Sequence, residues 1–325
     1  MRKNVAYLFP GQGARYRGAA LDFLAAGSAA AKGLFAQAAD IFGRDMEALL
    51  KDTDELTMKR TDVAQPALTL CSLASAAFLA ERGWEPSACA GFSLGEYAAL
   101  ACAGVIGVED CFSLIKARGE AMQRAADRLR ESAGGDPSAA PGMLAVIGLS
   151  PKAAEGLIEQ WRTGGLADLH AANINSPSQL VASGTDAALR EAEARFAQAG
   201  AKTMRLRVAG PFHSPLMAQS AEEFAPALEA VEFADPKIPL YSNVTGKQVG
   251  SGAEAKKLAV MQITSPVRWT EEQAAIAEAF AAEGGLDLCL EVGPGKVLRG
   301  FWKETISAIP CYGAGTVEEI ENLTA

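Results

Sequence analysis

Apolar segments that end at glycine turns recur along the first 130 residues. The run VAYLF ends at a PGQG loop, and ACAGF leads directly into the helix-forming segment SLGEYAALACAG, with Ser93 at the corner. The pattern predicts strands over 5–9 and 88–92 and helices over 67–81, 93–104 and 109–130. Short apolar strands that alternate with helices indicate a parallel sheet covered on both faces.

The middle of the chain follows a different order of elements. A stretch rich in Gly, Ser, Ala and Pro over 131–142 is typical of a linker. Beyond it the elements are predicted in the order β-α-β-β-α-β, over 143–149, 150–161, 169–174, 179–183, 185–199 and 201–208. That order is typical of a ferredoxin-like unit.

The last third of the chain returns to the pattern of the first. Helical segments are predicted over 214–230 and 271–283, and strands over 238–244 and 286–295. The sequence therefore predicts an α/β fold with two lobes. A hydrolase-like larger lobe with a parallel-sheet core would be formed by 1–128 and 209–325, and a ferredoxin-like (βαββαβ) small lobe would be inserted over 129–208.

Composition and charge narrow the class of protein. The 325 residues are 49% apolar and 21% charged, with a net charge of −9, which excludes a disordered chain and disfavours a nucleic-acid binder. Six cysteines without a CxxC pair are typical of reduced core residues in a cytoplasmic protein. The longest apolar stretch, over 67–80, is too short and too often interrupted by Ser and Thr to predict a membrane span. No secretory signal is predicted.

Ser93 is the strongest candidate nucleophile. It lies in GFSLG (91–95), a G-x-S-x-G pattern at a predicted strand-to-helix corner. A serine there presents its hydroxyl over the strand ends, and the helix N-terminus offers N–H groups to a developing oxyanion. The alternative is a glycine-flanked turn whose serine only caps a helix.

A serine nucleophile needs a base, and the chain has only two histidines, His170 and His213. His213 lies in GPFHS, a loop bounded by Gly and Pro where the chain leaves the predicted small lobe, and such a loop is typical of a cleft wall. His170 opens a predicted strand. His213 is therefore the stronger candidate, although a purely structural histidine is the alternative.

Arg118 is a charged residue inside an otherwise apolar helical stretch, FSLIKARGEAM. Its spacing alone favours a structural pair with an internal carboxylate. The planar guanidinium could instead bind a substrate carboxylate bidentately.

Two glycine loops do not fit the patterns of nucleotide-binding loops. PGQG (10–13) fails the dinucleotide pattern and GPGK (293–296) fails the P-loop pattern, so nucleotide-phosphate binding is disfavoured. No histidines stand at metal-ligand spacing from the cysteines, and no metal or redox cofactor is expected.

Together these motifs resemble the acyl-carrier-protein acyltransferases of fatty-acid and polyketide synthesis, most closely the free-standing bacterial malonyl transferases. The resemblance covers the chain from end to end and preserves the order of the motifs. The matching segments are FPGQG (9–13), QPAL (65–68), GFSLGEYAAL (91–100), ARGEAMQ (117–123), NINSPSQLVASG (173–184), GPFHSPLM (210–217), SNVTG (242–246), QITSPVRW (262–269) and EVGPGKVL (291–298).

The resemblance implies a reaction and its catalytic groups. It implies transfer of a malonyl group from malonyl-CoA to the phosphopantetheine thiol of a holo acyl carrier protein. Ser93 is implied as the nucleophile and His213 as its base, and the backbone N–H groups of Gln12 and Leu94 are implied as the oxyanion hole. The resemblance implies no metal or redox cofactor, and a cytoplasmic, monomeric protein is expected.

The resemblance also implies how the substrate is held. Arg118 would clamp the malonyl carboxylate, the backbone carbonyl of Gln262 would orient the histidine, and Phe212 is typical of malonyl-selecting members. One departure is Phe92, because the family usually has histidine before the serine. That histidine is not the family's base, so the expected reaction is unaffected, while the surroundings of the nucleophile change.

Several alternatives stay open at this point. A serine hydrolase or thioesterase acting on acyl thioesters would use the same nucleophile, and a trans-acting polyketide-synthase acyltransferase would differ only in its carrier protein. A non-catalytic carrier-binding module would not need the serine. Lys296, Arg299 and Lys303 stand at i, i+3 and i+7 on one predicted helical face, which could dock an acidic carrier protein or be a solvated surface.

Overall fold

The structure is a computed structural model that describes residues 3–14, 17–54, 57–135, 139–281 and 284–323. Within these residues the strands, numbered β1 to β10 in chain order, are Val5–Phe9, Ala88–Gly91, Gly142–Ile147, Leu169–Ser176, Gln179–Gly184, Lys202–Arg205, Tyr241–Ser242, Lys247–Gln248, Leu288–Glu291 and Cys311–Gly313. The α-helices, numbered α1 to α13, are Leu21–Ala25, Ala29–Phe42, Met46–Asp52, Thr61–Glu81, Gly95–Cys102, Val108–Ser132, Pro151–Thr163, Asp186–Gln198, Ala218–Glu229, Gly252–Gln262, Trp269–Ala281, Val297–Thr305 and Val317–Glu321.

A parallel sheet with strand order β10-β9-β1-β2 forms the centre of the molecule. Every residue of β1 is buried, because strands flank it on both sides and helices cover both faces of the sheet. Phe9 pairs with Gly91 and Leu8 with Glu291, so the carboxyl ends of β1, β2 and β9 meet at one edge. The prediction of an α/β fold with a parallel sheet is confirmed. Ligands of such sheets bind at this edge.

Residues 142–205 form a second, antiparallel sheet with strand order β4-β5-β3-β6. Its elements follow one another in the β-α-β-β-α-β order that the sequence pattern predicts. Helices α7 and α8 pack on this sheet in one apolar cluster that includes Leu144, Ile158, Leu180 and Phe196. Of the predicted linker, residues 136–138 lie outside the described residues.

Hydrogen bonds join the antiparallel sheet to the rest of the protein along β4. The Ile174 N–H donates to the Val267 carbonyl and the Val267 N–H donates to the Ala172 carbonyl, both at 2.8 Å. The Ser183 hydroxyl also donates to the Phe212 carbonyl at 2.6 Å. These bonds join β4 and β5 to the segments that contain Val267 and Phe212.

Helix α4 differs from its prediction in length. It begins at Thr61, six residues before the predicted start, and contains Pro66 in its second turn. Burial of most of its apolar side chains offsets the hydrogen bond that Pro66 cannot donate. Because it is longer than the apolar stretch over 67–80, α4 could cross a membrane by length and composition alone, but 83% of its most apolar window is buried inside the protein.

The predicted strand over 238–244 is also shorter in the structure. Leu240 makes one isolated parallel bridge to Cys89, and Tyr241–Ser242 pairs with the two residues of β8 instead of continuing the sheet. The sequence pattern is apolar enough for a strand, but the chain turns away from β2 after a single bridge.

Gly95 makes the turn after β2 possible, and its replacement should destabilise the fold. A Cβ atom at Gly95 would overlap the Phe9 carbonyl group, which is backbone and cannot move aside. We expect Gly95→Ala to lower the free energy of unfolding by at least about 3 kcal/mol in denaturant titrations.

Gly33→Ala is the matched control, because Gly33 is exposed inside α2 and a Cβ atom there would meet nothing within 4 Å. This variant should gain about 0.5–1 kcal/mol from helix propensity. Equal stabilities of the Gly95→Ala protein and the wild type would contradict the assigned close contact.

Candidate active site

Ser93 stands at the sharp turn between β2 and α5. Its φ of 53° lies in the left-handed region, where a side chain is strained. The turn closes only because Gly91 and Gly95 flank it, since a Cβ atom at Gly91 would overlap the backbone of Gly95 and Glu96. The turn therefore presents the Ser93 hydroxyl at the carboxyl edge of the parallel sheet.

His213 lies within hydrogen-bond distance of the Ser93 hydroxyl, as a general base must. Its Nε2 lies 2.7 Å from the Ser93 Oγ, and its Nδ1 lies 3.1 Å from the Gln262 carbonyl and 3.2 Å from the Ser265 carbonyl. Two carbonyl acceptors require a proton on Nδ1, which leaves the Nε2 lone pair to accept the Ser93 proton. His213 also has a positive φ of 58°.

The electrostatic surroundings keep His213 neutral. Burial and the nearby Arg118 guanidinium lower the pKa of His213 to about 4. Carbonyl oxygens orient the ring where a full triad would have a carboxylate, so no full negative charge raises the pKa. At neutral pH the imidazole is therefore ready to accept a proton.

His170, the other histidine, lies elsewhere. It is half-buried on β4, where it pairs with Ser183, and it lines a cavity of about 360 Å³ whose wall His213 also reaches. In the described part of the chain no hydrogen bond joins His170 to Ser93.

Arg118 lies on α6 beside the nucleophile and is 1% exposed. Its Nη2 donates to the Ser93 Oγ at 3.3 Å and to the Gln262 Oε1 at 3.1 Å, and its Nη1 donates to the Gln65 Oε1 at 2.9 Å. Among the described residues no carboxylate forms an ion pair with Arg118. The structural pair that its spacing favoured is therefore not found, and the guanidinium has only uncharged acceptors.

Asn243 supports the nucleophile turn and was not identified from the sequence. Its Oδ1 accepts the Ser93 N–H at 2.6 Å, and its Nδ2 donates to the Gly91 carbonyl at 2.7 Å and to the Glu272 Oε1 at 2.8 Å. The Asn243 side chain therefore ties together the two sides of the Ser93 turn. The only sequence signal for it is its place in the segment SNVTG.

Two buried carboxyl groups, Glu96 and Glu272, lie beneath this turn. The Glu96 Oε2 accepts the Asn243 N–H at 3.1 Å and the Gln262 Nε2 at 2.8 Å. Burial raises the pKa of Glu96 to about 7, against the opposing effect of these hydrogen bonds. Burial and the neighbouring Glu96 raise the pKa of Glu272 well above its ordinary value. These groups position the turn and do not reach the Ser93 hydroxyl.

The PGQG loop lies against the nucleophile turn. A Cβ atom at Gly11 would come within 2.7 Å of the Phe92 carbonyl oxygen. The backbone N–H groups of Gln12 and Leu94 donate no hydrogen bond to any residue that the structure describes. Two N–H donors beside a nucleophile are the groups that an oxyanion hole requires.

A cavity of about 240 Å³ opens beside Ser93 and His213, between the two sheets. Phe92 is part of its wall and packs edge-to-face on Trp269, at 5.6 Å between ring centroids, and near Phe301 at 6.3 Å. Phe212 is also part of the wall. In the described ranges no group of His, Cys, Asp and Glu could hold a metal ion.

Several known proteins are similar to this chain over nearly its whole length. The family model described as "Acyl transferase domain" matches residues 6–321. A malonyl CoA-acyl carrier protein transacylase of Haemophilus influenzae is 36% identical over 97% of this chain and 96% of its own. The crystal structure of an acyl carrier protein S-malonyltransferase from Vibrio cholerae has a TM-score of 0.87 at 33% identity, with 99% and 100% of the two chains covered.

A complex is among the similar solved structures. It holds a type II PKS acyl-carrier protein with its malonyl-transacylase, and its matching chain has a TM-score of 0.86 at 33% identity, with 98% of both chains covered.

The low pKa of His213 predicts that acylation of Ser93 is insensitive to mild acid. With a pKa of about 4 the base stays neutral at pH 5.5, and its loss begins only as the pH falls towards 4. Acylation by p-nitrophenyl acetate, followed by intact mass, should differ less than about twofold between pH 7.5 and 5.5. An ordinary histidine with a pKa near 6.5 would lose about tenfold over this range.

Two variants test which histidine produces this pH profile. His213→Ala should lower acylation by about 10³-fold or more, whereas His170→Ala should keep both the rate and the pH profile of the wild type. A midpoint near pH 6.5, or equal losses in two well-folded variants, would refute the assignment of His213.

Proposed function

This chain belongs to the acyl transferase family, and from that premise we propose that it transfers malonyl from malonyl-CoA to the phosphopantetheine thiol of a holo acyl carrier protein. One observation supports malonyl as the acyl group. The Arg118 guanidinium is buried 3.3 Å from the Ser93 Oγ and has no carboxylate partner among the described residues. A substrate with its own carboxylate supplies that partner.

The first half of the reaction forms an acyl-serine ester. The Ser93 Oγ attacks the thioester carbonyl carbon while its proton moves to the His213 Nε2. The N–H groups of Gln12 and Leu94 stabilise the oxyanion of the tetrahedral intermediate. When the C–S bond breaks, the CoA sulfur takes the proton from His213, and malonyl stays on Ser93.

The second half of the reaction uses the same groups in reverse. The phosphopantetheine thiol gives its proton to the His213 Nε2 and attacks the ester carbonyl. The new tetrahedral intermediate collapses with cleavage of the C–O bond to Ser93, whose oxygen recovers the proton. The sum is one thioester exchanged for another, with no oxidant or reductant.

The division of the chain into lobes is part of the same proposal. Residues 1–128 and 209–325 would form a hydrolase-like catalytic lobe, and 129–208 a ferredoxin-like small lobe. The separate apolar cluster of the antiparallel sheet supports this division. A cytoplasmic, monomeric protein is also proposed, and the six cysteines, none in a disulfide, support a reducing compartment.

Helix α12 is the proposed docking site for the acidic carrier protein. Its side chains Val297, Leu298 and Phe301 line the cavity beside Ser93, so a thiol arm could enter past this helix. Of the three basic residues expected there, Lys296 and Lys303 are exposed, whereas Arg299 forms an ion pair with Glu319 at 3.1 Å. The docking charge is therefore assigned to the two lysines.

Reversing these two charges tests the docking site. The double variant Lys296→Glu and Lys303→Glu should raise the KM for the carrier protein at least about fivefold, because rim charges attract the partner, and should leave malonyl loading from malonyl-CoA within twofold. The control is Lys32→Glu with Lys257→Glu, two exposed lysines on α2 and α10 that give the same change in net charge. Equal KM values of the two double variants for the carrier protein would rule out this docking site.

Arg118 variants test the selection of malonyl. A charge-assisted bidentate hydrogen bond contributes about 1.5–3 kcal/mol, or roughly ten- to a few hundredfold in selectivity over acetyl. Arg118→Ala should therefore lose malonyl loading, measured as the mass increase of the protein with malonyl-CoA, while acetyl loading holds or rises. Arg118→Lys should recover only part of the malonyl loading, because an ammonium group cannot form the planar, bidentate hydrogen bonds of a guanidinium.

The same measurement separates the alternatives. Free malonate without an adduct on the wild-type protein would indicate a hydrolase, and no reaction would indicate a non-catalytic module. A melting curve of each variant accompanies the masses. If a well-folded Arg118→Ala variant kept the wild-type ratio of malonyl to acetyl loading, Arg118 would not bind the malonyl carboxylate.

A further inference from the structure

Gln65 is the buried neighbour of Arg118 that the reaction does not use. Its side chain is fully buried on α4, and its Oε1 accepts a hydrogen bond from the Arg118 Nη1 at 2.9 Å. On its other side the Gln65 Nε2 donates to the Met122 Sδ at 3.3 Å. The segment QPAL that contains it has no role in the reaction described so far.

Only one orientation of the Gln65 amide satisfies both neighbours. A flipped amide would turn its NH₂ group towards the Arg118 guanidinium, so that two donors faced each other, and would turn its carbonyl towards a sulfur that cannot donate. The Gln65 carbonyl is therefore held against Arg118 in the orientation of an acceptor.

The two helices that carry Gln65 and Arg118 are fixed against each other. The Thr61 N–H donates to the Gln123 Oε1 at 2.9 Å, and the Thr61 hydroxyl donates to the Gly119 carbonyl at 2.7 Å. A Cβ atom at Gly119 would come within 2.9 Å of the Thr61 carbonyl oxygen. The contact between Gln65 and Arg118 is therefore built into the packing of α4 on α6.

We propose that Gln65 is a specificity-determining residue, which holds the Arg118 guanidinium with an uncharged acceptor and so keeps its positive charge for the carboxylate of the acyl group. This inference rests on the proposed function. The Gln262 Oε1 is the second uncharged acceptor, on Nη2 at 3.1 Å. Glu96 is the carboxyl group in the same network, and among the described residues it forms no ion pair with Arg118: it accepts a hydrogen bond from the Gln262 Nε2 and acts on the guanidinium through space.

A carboxylate at position 65 would pair with the positive charge of Arg118 without changing the shape of the side chain. Glutamate is nearly isosteric with glutamine and could accept from Nη1 in the same place. It would form a buried ion pair with Arg118, and an incoming malonyl carboxylate would then bring a second negative charge to a neutralised guanidinium. Acetyl has no charge and would not meet this penalty.

Three variants test the proposal by the ratio of malonyl to acetyl loading, measured by intact mass beside a melting curve. Gln65→Glu should lower the malonyl-to-acetyl ratio at least tenfold. Gln65→Met removes the acceptor and adds no charge, so its ratio should stay within about threefold of the wild type. Gln123→Glu adds a charge between the same two helices without facing Arg118, and its ratio should equal that of the wild type.

The outcomes separate this inference from the proposed function. If Gln65→Glu is folded and keeps the wild-type ratio while Arg118→Ala loses it, Gln65 does not set the specificity and the clamp stands. If Arg118→Ala also keeps the ratio, the clamp itself fails. Equal losses of malonyl and acetyl loading in Gln65→Glu and Gln65→Met would show a purely structural role for Gln65 and overturn the inference.

Discussion

The positive charge of Arg118, buried beside the nucleophile without a carboxylate, is the constraint on which the rest of the site depends. A buried guanidinium is costly unless its N–H groups are hydrogen-bonded. Here the acceptors are the amides of Gln65 and Gln262, brought by α4 and by the end of α10. Gln65 stays in place only while α4 keeps its packing against α6, and Gln262 only while α10 keeps its packing against α9. The apolar core thus determines where the charge is held.

Gln262 connects this charge with the catalytic groups. Its side-chain amide accepts from Arg118 and donates to the Ser93 carbonyl at 3.0 Å and to Glu96, while its backbone carbonyl accepts from the His213 ring. One residue therefore holds Arg118, the Ser93 turn and His213 together. Because a carbonyl stands where a triad would have an acid, His213 would be a weak base in the proposed reaction, and oxyanion stabilisation would then supply a large part of the rate.

The sequence predicts those parts of the site that depend on local pattern. Strand β1 and the turn at Ser93 follow from apolar runs that end at glycines, and His213 stands out because the chain has only two histidines. Asn243 could not be predicted, since its role arises from contacts with residues about 150 positions away. Helix α2 is not predicted, because the exposed Ala29, Ala30 and Ala36 obscure the helical spacing of its four buried side chains. That Arg118 has only uncharged acceptors depends on the tertiary structure. The position of Arg118 in an apolar helical stretch favours an ion pair instead.

The proposed selection of the acyl group depends on a charge that the site already holds. The cavity beside Ser93 lies between the two sheets, and backbone hydrogen bonds at Ala172, Ile174 and Val267 join β4 to the segment before α11. Malonyl and acetyl differ by a carboxylate, and the Arg118 guanidinium, which has no carboxylate partner among the described residues, lies 3.3 Å from the Ser93 Oγ beside this cavity. On the proposed function, selection is therefore a matter of charge at Arg118, and the apolar wall with Phe92 would contribute contact with the rest of the substrate.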